Sequence, residues 1–573
     1  MTVMTKLILL PRFLLAALSG VLAGYAALAV AELAAAAVRP ESSPVTVVGG
    51  AVIDRTPVGL KEWAIRHFGT NDKLFLQLGI VVLLVLFAVA LGVLALRHRR
   101  TGSAGVLVFG AVGAVAAQAR PDSSGVVDAL PSVAGALVGA VLLYVLAGYL
   151  RGGASGAESE GGGGGDGGAR GERGGAAAGG AGEDAAGDGT GGDAGDGEGA
   201  RPVPPEVSRP AWNRRGFIAA ASAAAVASTG AGVAGRYLQS RGGQSAVASR
   251  KAVTLPKPAS AAAAVPADAR LHVPGISPFT TPNKDFYRVD TALVVPKVDA
   301  GSWRLRIHGK GVTRPLTVTF EDLLRRELIE RDITLTCVSN EVGGPYVGNA
   351  RWIGARLADL LKEAGVKPPS RGGPADQLVA RSVDGMTIGS PVETVMDGRD
   401  ALLAVGMNGE PLPFAHGFPA RMVVPGLYGF VSACKWIEDI ELTTFDDYDP
   451  YWVKRDWARE APIKTQSRID TPKPFATPKA GTVMIAGVAW AQHRGVDRVE
   501  VRVDEGPWRT AQLAAEDTED TWRQWSIPWK ATSGSHTLTV RAADRTGQFQ
   551  TSKRVGTVPD GASGRHSVVV TVD

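Results

Sequence analysis

Five apolar runs limit what this chain can fold into, and four of them fall within its first 150 residues. They cover about 7–36, 75–96, 104–119, 127–150 and 217–235. Crossing roughly 30 Å of hydrocarbon takes about 20 residues of helix. Three of the first four meet that length, while 104–119 is short and rich in Gly and Ala. Any single run also fits a buried helix of a soluble protein. Four in succession, almost free of charge, point to a membrane domain of about four helices over 1–150.

Residues 151–212 are dominated by Gly, Ala, Asp and Glu. They have no hydrophobic period and cannot build a core, so they read as a disordered linker. Trp212-Asn213-Arg214-Arg215-Gly216-Phe217-Ile218 then opens the fifth run, 213–237. An arginine pair before a modestly apolar Ala/Ser/Gly stretch resembles a twin-arginine export signal. An ordinary transmembrane helix with basic residues on its cytoplasmic flank gives the same topology. Ala246-Val247-Ala248 fits a cleavage site, although retention as an anchor is the preferred reading. A linker is expected over 238–270.

With the N-terminus inside, four crossings return the chain to the cytoplasm and the fifth places everything after about residue 235 outside. Arg97, Arg99, Arg100, Arg151, Arg214 and Arg215 fall inside in this scheme. Arg39, Arg55, Lys61, Arg66 and Lys73 fall in the first outer loop and weigh against it, so the arginine pair decides. The expected location is a multi-pass protein of the cell membrane with its C-terminal half extracytoplasmic. None of the eight histidines lies within an apolar run; His67 sits in a loop and His98 at a helix end. A haem held between two intramembrane histidines is not expected.

A net charge of +5 spread along 573 residues leaves no nucleic-acid footprint. Two cysteines make no disulfide framework. From about 271 the chain reads as globular α+β. Trp303-Arg304-Leu305-Arg306-Ile307 alternates as a strand, and Thr319 is placed to cap a helix. Leu357, Leu360, Leu361 and Ala364 recur at helical spacing, with Gly365 able to end it. The oxidoreductase-like unit is assigned 271–445 and a connector 446–474. Short alternating strands over 475–573 indicate an immunoglobulin-like β-sandwich. Trp490, Trp508, Trp522, Trp525 and Trp529 are expected as core and interface anchors.

Cys337 ends a strand-like run, Thr334-Leu335-Thr336-Cys337-Val338-Ser339-Asn340. A thiol there suits a soft-metal ligand, although free cysteines are more often small buried hydrophobes. Three further stretches accompany it: Thr281-Pro282-Asn283-Lys284-Asp285-Phe286-Tyr287-Arg288-Val289-Asp290-Thr291; Met407-Asn408-Gly409-Glu410-Pro411-Leu412-Pro413 with His416-Gly417-Phe418-Pro419-Ala420-Arg421; and Val424-Pro425-Gly426 with Lys435-Trp436. In this order and spacing the series resembles the sulfite oxidase family of molybdopterin enzymes, over about 277–443. The sandwich behind it resembles that family's C-terminal dimerisation domain, so a homodimer through this domain is implied.

The resemblance implies a fold of N-terminal transmembrane helices, a sulfite-oxidase-type α+β molybdopterin-binding domain and an Ig-like sandwich. It makes Cys337 the protein thiolate on molybdenum and implies Arg288 as a second catalytic group. Pterin contacts carry over onto Tyr287, Arg288, Val289, Asp290, Cys337, Asp384, His416, Arg421, Ala433, Cys434 and Lys435. Arg421 is suited to clasp a phosphate bidentately, Lys435 to act as a point charge and His416 to offer a ring N–H. Taken singly, His416 and Asp384 also fit turn residues, Arg421 a surface strand position and Lys435 a snorkelling side chain.

The implied activity is two-electron oxygen-atom transfer on a small-molecule substrate, with a separate electron carrier, a cytochrome or a membrane redox protein. Sulfite-oxidising members carry Gly-Asn-Arg-Arg after the cysteine and Arg-Asn-His in the first block. This chain reads Val338-Ser339-Asn340-Glu341-Val342 and Arg288-Val289-Asp290-Thr291, and a family tyrosine is replaced near Lys454-Arg455-Asp456-Trp457. Each lost charge-assisted contact weakens a dianion by roughly 1.5–3 kcal/mol, so sulfite is disfavoured. Two alternatives stay open. One is an S-oxide or N-oxide reductase with the same cofactor. The other is a non-enzymatic, membrane-tethered binding protein on a degenerate fold.

Overall fold

The computed structural model describes residues 4–57, 60, 72–120, 123, 125–151 and 214–573. The linker expected over 151–212 lies outside the described residues from 152 onward, as do Lys61, Arg66, His67, Trp212 and Asn213.

Among the described residues, six helices make the N-terminal bundle: α1 (Met4–Val38), α2 (Pro44–Arg55), α3 (Asp72–Arg97), α4 (Arg99–Gln118), α5 (Leu130–Arg151) and α6 (Arg214–Ala252). All but α2 are long and apolar enough to cross a membrane. The 104–119 run, short by sequence, belongs to a 20-residue helix because its start is extended by Arg99-Arg100-Thr101-Gly102-Ser103. Small residues let the helices approach closely. A Cβ at Gly20 would lie 1.9 Å from the Ala88 carbonyl oxygen, and one at Gly92 2.1 Å from that of Ala16. Arginines gather at one end of the bundle. Arg151 Nε donates to the Leu96 carbonyl at 2.7 Å, satisfying a helix C-terminus, and the Arg99 guanidinium lies over the Tyr144 ring.

The 238–270 linker is corrected. Helix α6 runs on to Ala252, where Arg250 donates to the carbonyls of Pro411 and Leu412 at 2.7 Å. Beyond it the Ala259 N–H reaches the Leu328 carbonyl at 2.8 Å and Ser260 bridges Ile329. These backbone bonds fuse the helix to the domain that follows. Ala246, in the proposed cleavage site, is fully buried within α6.

The α+β domain holds β1 (Arg304–Gly309), β2 (Leu316–Thr319), α7 (Phe320–Leu324), β3 (Leu328–Thr336), β4 (Val347–Arg356), α8 (Leu357–Glu363), β5 (Gln377–Ser382), β6 (Thr387–Pro391), α9 (Val392–Met396), β7 (Leu402–Met407), β8 (Glu410–Pro411), β9 (Arg421–Val423), α10 (Gly429–Ser432) and β10 (Ile437–Thr443). One sheet runs β2-β1-β10-β5-β6; the other runs β3-β4-β7-β8, with β9 also on β7. Thr319 caps α7 in a reciprocal capping box with Asp322. Gly365 follows α8 at φ +82°.

The sandwich begins earlier than 475, at β11 (Gln466–Thr471), which pairs with β12 (Gly481–Trp490). Alternation over 466–471 is too short to stand out against the preceding loop. The remaining strands are β13 (Val496–Val503), β14 (Arg509–Thr510), β15 (Gln512–Leu513), β16 (Arg523–Ala531), β17 (Gly534–Asp544) and β18 (His566–Val572), in sheets β11-β12-β16-β15 and β14-β13-β17-β18. Trp525 and Trp529 fill the sandwich core, whereas Trp490 and Trp522 join the core of the α+β domain. Gln492 Nε2 donates to the Thr334 carbonyl at 3.0 Å, and the Trp522 N–H to Thr334 Oγ1 at 2.7 Å. The sandwich thus braces β3, the strand that ends just before Cys337.

Candidate active site

Cys337 follows the last residue of β3, where the sheet gives way to a turn. Its N–H donates to the Tyr346 carbonyl at 2.9 Å and its carbonyl accepts from the Asn340 N–H at 3.0 Å. Asn340 Oδ1 takes the Tyr346 N–H at 2.8 Å, closing the loop. The Cys337 side chain faces a cavity of about 700 Å³ sunk deep in the domain. Burial pushes its pKa up, while hydrogen bonds from Ser339 and the charge of Lys435 pull it down. The thiol is desolvated yet set among groups that favour a thiolate, the balance a bound metal tips outright.

Asn408-Gly409 turns β7 into β8 with φ +53° and +83°, the left-handed pair that Asn-Gly accommodates. Asn408 Oδ1 accepts the Arg351 N–H at 2.9 Å, and its Nδ2 donates to the Thr281 carbonyl at 2.9 Å and to Asn283 Oδ1 at 2.8 Å. This fixes the segment whose Asn283 carbonyl lies 3.0 Å from His416 Nε2. A carbonyl only accepts, so His416 carries its proton on Nε2. Burial, with the Arg421, Lys435 and Arg288 charges, lowers its pKa to about 4. The ring N–H expected for a phosphate is therefore given to the backbone. Gly417, at φ +109°, lets this turn approach closely: a Cβ there would lie 3.0 Å from Arg421 Cβ and 3.2 Å from Lys435 Cα.

Arg421, on β9, is 5% exposed. Among the described residues its donors reach only the His416 carbonyl at 3.2 Å and the Ala433 carbonyl at 3.4 Å, and Nε has no partner. Burial lowers its pKa to about 10. Beside it Asp290 is clasped by Lys435 Nζ at 2.7 Å and Arg288 Nε at 2.8 Å. Burial, then the Cys337 charge, keeps Tyr287 a neutral phenol. Burial, then Asp384, does the same for the Cys434 thiol.

Tyr287, Val289, Asp290, Cys337, Asp384, His416, Arg421, Ala433, Cys434 and Lys435 all line the one cavity. Arg288 is not among the lining residues; its guanidinium braces Asp290. Glu341 is exposed and outside the cavity, so it places no charge in the pocket. Sequence reasoning missed Phe430, Tyr451, Trp452 and Trp457 as wall residues, together with Val52, Ile53, Thr56, Phe75 and Leu76 of the helical bundle. Arg455, noted only as a replacement, also lines the wall.

These residues fit a molybdopterin. Among the described residues no cluster of three or more His, Cys, Asp or Glu can hold a metal. A metal at Cys337 therefore has to arrive with its other donors, as a pterin dithiolene supplies them. A buried guanidinium without a carboxylate partner is costly alone and becomes satisfied by a phosphate.

Residues 292–452 match the family described as "Oxidoreductase molybdopterin binding domain", and residues 466–540 match "Bacterial Ig domain". The chain is 31% identical over 290 residues to mitochondrial sulfite oxidase of Rattus norvegicus, covering 44% of this chain and 53% of that protein. It is 34% identical over 183 residues to the NADH nitrate reductase of Ulva prolifera, covering 27% and 20%. The crystal structure of the sulfane dehydrogenase SoxCD from Paracoccus pantotrophus aligns at 26% identity and a TM-score of 0.45, covering 52% of this chain and 84% of that one. The chain spans about half the length of the curated sulfite oxidase. Residues 292–452 thus form a molybdopterin-binding oxidoreductase domain, and the chain is similar there to the sulfite oxidases.

Proposed function

We propose that this chain is a membrane-anchored molybdenum-cofactor oxidoreductase whose site lies outside the cytoplasm and which transfers an oxygen atom between water and a small substrate. The observation that carries the reading is the pairing of a cavity-facing Cys337 with a buried Arg421 that lacks any carboxylate partner among the described residues. When bound, the molybdenum–pterin group supplies two-electron oxygen-atom transfer; in the oxidising direction X + H₂O gives XO + 2H⁺ + 2e⁻, the electrons leaving to a separate carrier. Arg421 holds the pterin phosphate, with Lys435 adding positive charge. Tyr287 offers a neutral O–H beside the thiolate. His416, neutral, keeps the HGFPAR turn anchored to the Asn283 carbonyl.

The membrane topology rests on agreement between two ends of the bundle. Arg97, Arg99 and Arg151 meet at one end, and α6 enters the α+β domain at the other. Arg214 and Arg215 open α6, as a retained twin-arginine signal or a basic-flanked anchor would.

One observation favours a neutral S-oxide or N-oxide over sulfite. Near the mouth, Arg455 is the cation in the wall, and its Nη2 lies 3.5 Å from Asp54 Oδ1 while its guanidinium covers the Tyr451 ring. Only its Nε is left without a partner. A dianion finds little uncompensated charge there. Metal analysis of the purified full chain tests the enzyme reading: near-stoichiometric molybdenum supports it, and metal-free protein after expression with molybdate and the pterin pathway overturns it. A panel of sulfite, sulfides and S- and N-oxides run in both redox directions separates the substrate readings.

A further inference from the structure

The cofactor cavity has a second end, built by the helical bundle. Val52 and Ile53 of α2, Thr56 just after it, and Phe75 and Leu76 of α3 wall it on one side, and Phe430, Trp452 and Trp457 of the α+β domain on the other. The two sides are latched together. Tyr451 Oη donates to Asp54 Oδ1 at 2.5 Å, and Arg455 pairs with the same oxygen. A Cβ at Gly49 of α2 would lie 2.8 Å from Leu293 Cδ2, so α2 rests directly on the segment after Asp290 and Thr291. The apolar wall is therefore part of the pocket rather than a surface patch near it.

The position of this wall identifies what passes it. Phe75 and Leu76 begin the candidate span Leu74–Arg97, so the mouth lies at the edge of the hydrocarbon. The cavity's volume of about 700 Å³ falls in the range of small-molecule sites. Its inner end carries the thiol with Arg421 and Lys435, and its outer end is apolar and aromatic apart from Arg455, which pairs with Asp54.

We infer that the substrate is amphiphilic, with a neutral polar head that reaches Cys337 and an apolar body held between α2/α3 and Trp452/Trp457, and that it enters from the membrane side. This rests on the molybdenum reading above. Asp54 is a positioning residue: it holds α2 against Tyr451 and does not itself line the cavity.

The test uses full-length holoprotein in lipid nanodiscs and a series of n-alkyl methyl sulfoxides from propyl to octyl, displacing radiolabelled octyl methyl sulfoxide. Affinity should rise about two- to fourfold per methylene, the increment of apolar burial. Ile53→Asp should flatten that slope, and Trp452→Ala should flatten it through the opposite wall, which guards against a misfolded α2 variant. Chain-length slopes equal in wild type and both variants would show partition into lipid only and overturn the inference, as would binding of sulfite in preference to the octyl compound. Molybdenum content measured on the same samples reports on the cofactor reading separately.

Discussion

Lys435 Nζ sits 2.7 Å from Asp290 Oδ2, and that same oxygen also takes Arg288 Nε at 2.8 Å. The Asp290 side chain is almost fully buried, so its one negative charge offsets the two cations beside it. Replacing it with Asn leaves those cations facing each other. Asp290→Asn should destabilise the cofactor-free protein by about 3 kcal/mol. Bound cofactor should restore most of this through its own negative charge. Thermal denaturation with and without cofactor checks the prediction: the gap in Tm should widen relative to wild type.

Cys337→Ser exchanges a soft donor for a hard one in a site where, among the described residues, no cluster of three or more His, Cys, Asp or Glu can hold the metal instead. Turnover should fall by more than about a hundredfold. Pterin content should fall much less, because Arg421 and Lys435 are untouched. Parallel assays of activity and of extracted pterin distinguish the two, and a variant with full turnover removes the ligand role.

Arg421→Met removes a buried cation that has no carboxylate partner. A structural arginine would be missed on removal. Here the cofactor-free protein should hold or gain Tm, while cofactor retention after dialysis drops about ten- to hundredfold. A Tm loss with unchanged retention contradicts the phosphate role.

Asn408→Ala deletes three hydrogen bonds and places a Cβ residue without local compensation at φ +53°. The cost should be about 2–3 kcal/mol. Because the Asn283 segment loosens, cofactor retention should decline together with Tm. Asn408→Gly should recover the backbone part alone.

Stability should depend on pH through His416. Its pKa is lowered to about 4 by burial and by the Arg421, Lys435 and Arg288 charges, against about 6.5 in an unfolded chain. Between those values the unfolded state binds the extra proton. The contribution is therefore fully present above about pH 6.5 and is lost as pH falls toward 4. Its size is on the order of 3 kcal/mol. His566, also lowered to about 4 by burial and then Arg468, adds in the same direction. The Tm of His416→Gln should fall less steeply than that of wild type between pH 7 and 4.5.

What the sequence determined about this protein lies within short stretches of chain. Apolar runs marked the helices, Thr319 a helix cap, and four motif blocks the residues that meet around Cys337. Each depends on periodicity or turn chemistry among near neighbours, which a linear reading captures. Tertiary structure decided which charges remain available and who shares the cavity. It took Arg288 out of the pocket and onto Asp290, left Glu341 exposed, and set the sandwich to brace the strand before Cys337. It also brought Asp54 onto Tyr451, 397 residues away, making a helix of the N-terminal bundle part of the wall. Partners that far apart leave no local signature, because their meeting is set by how whole domains pack.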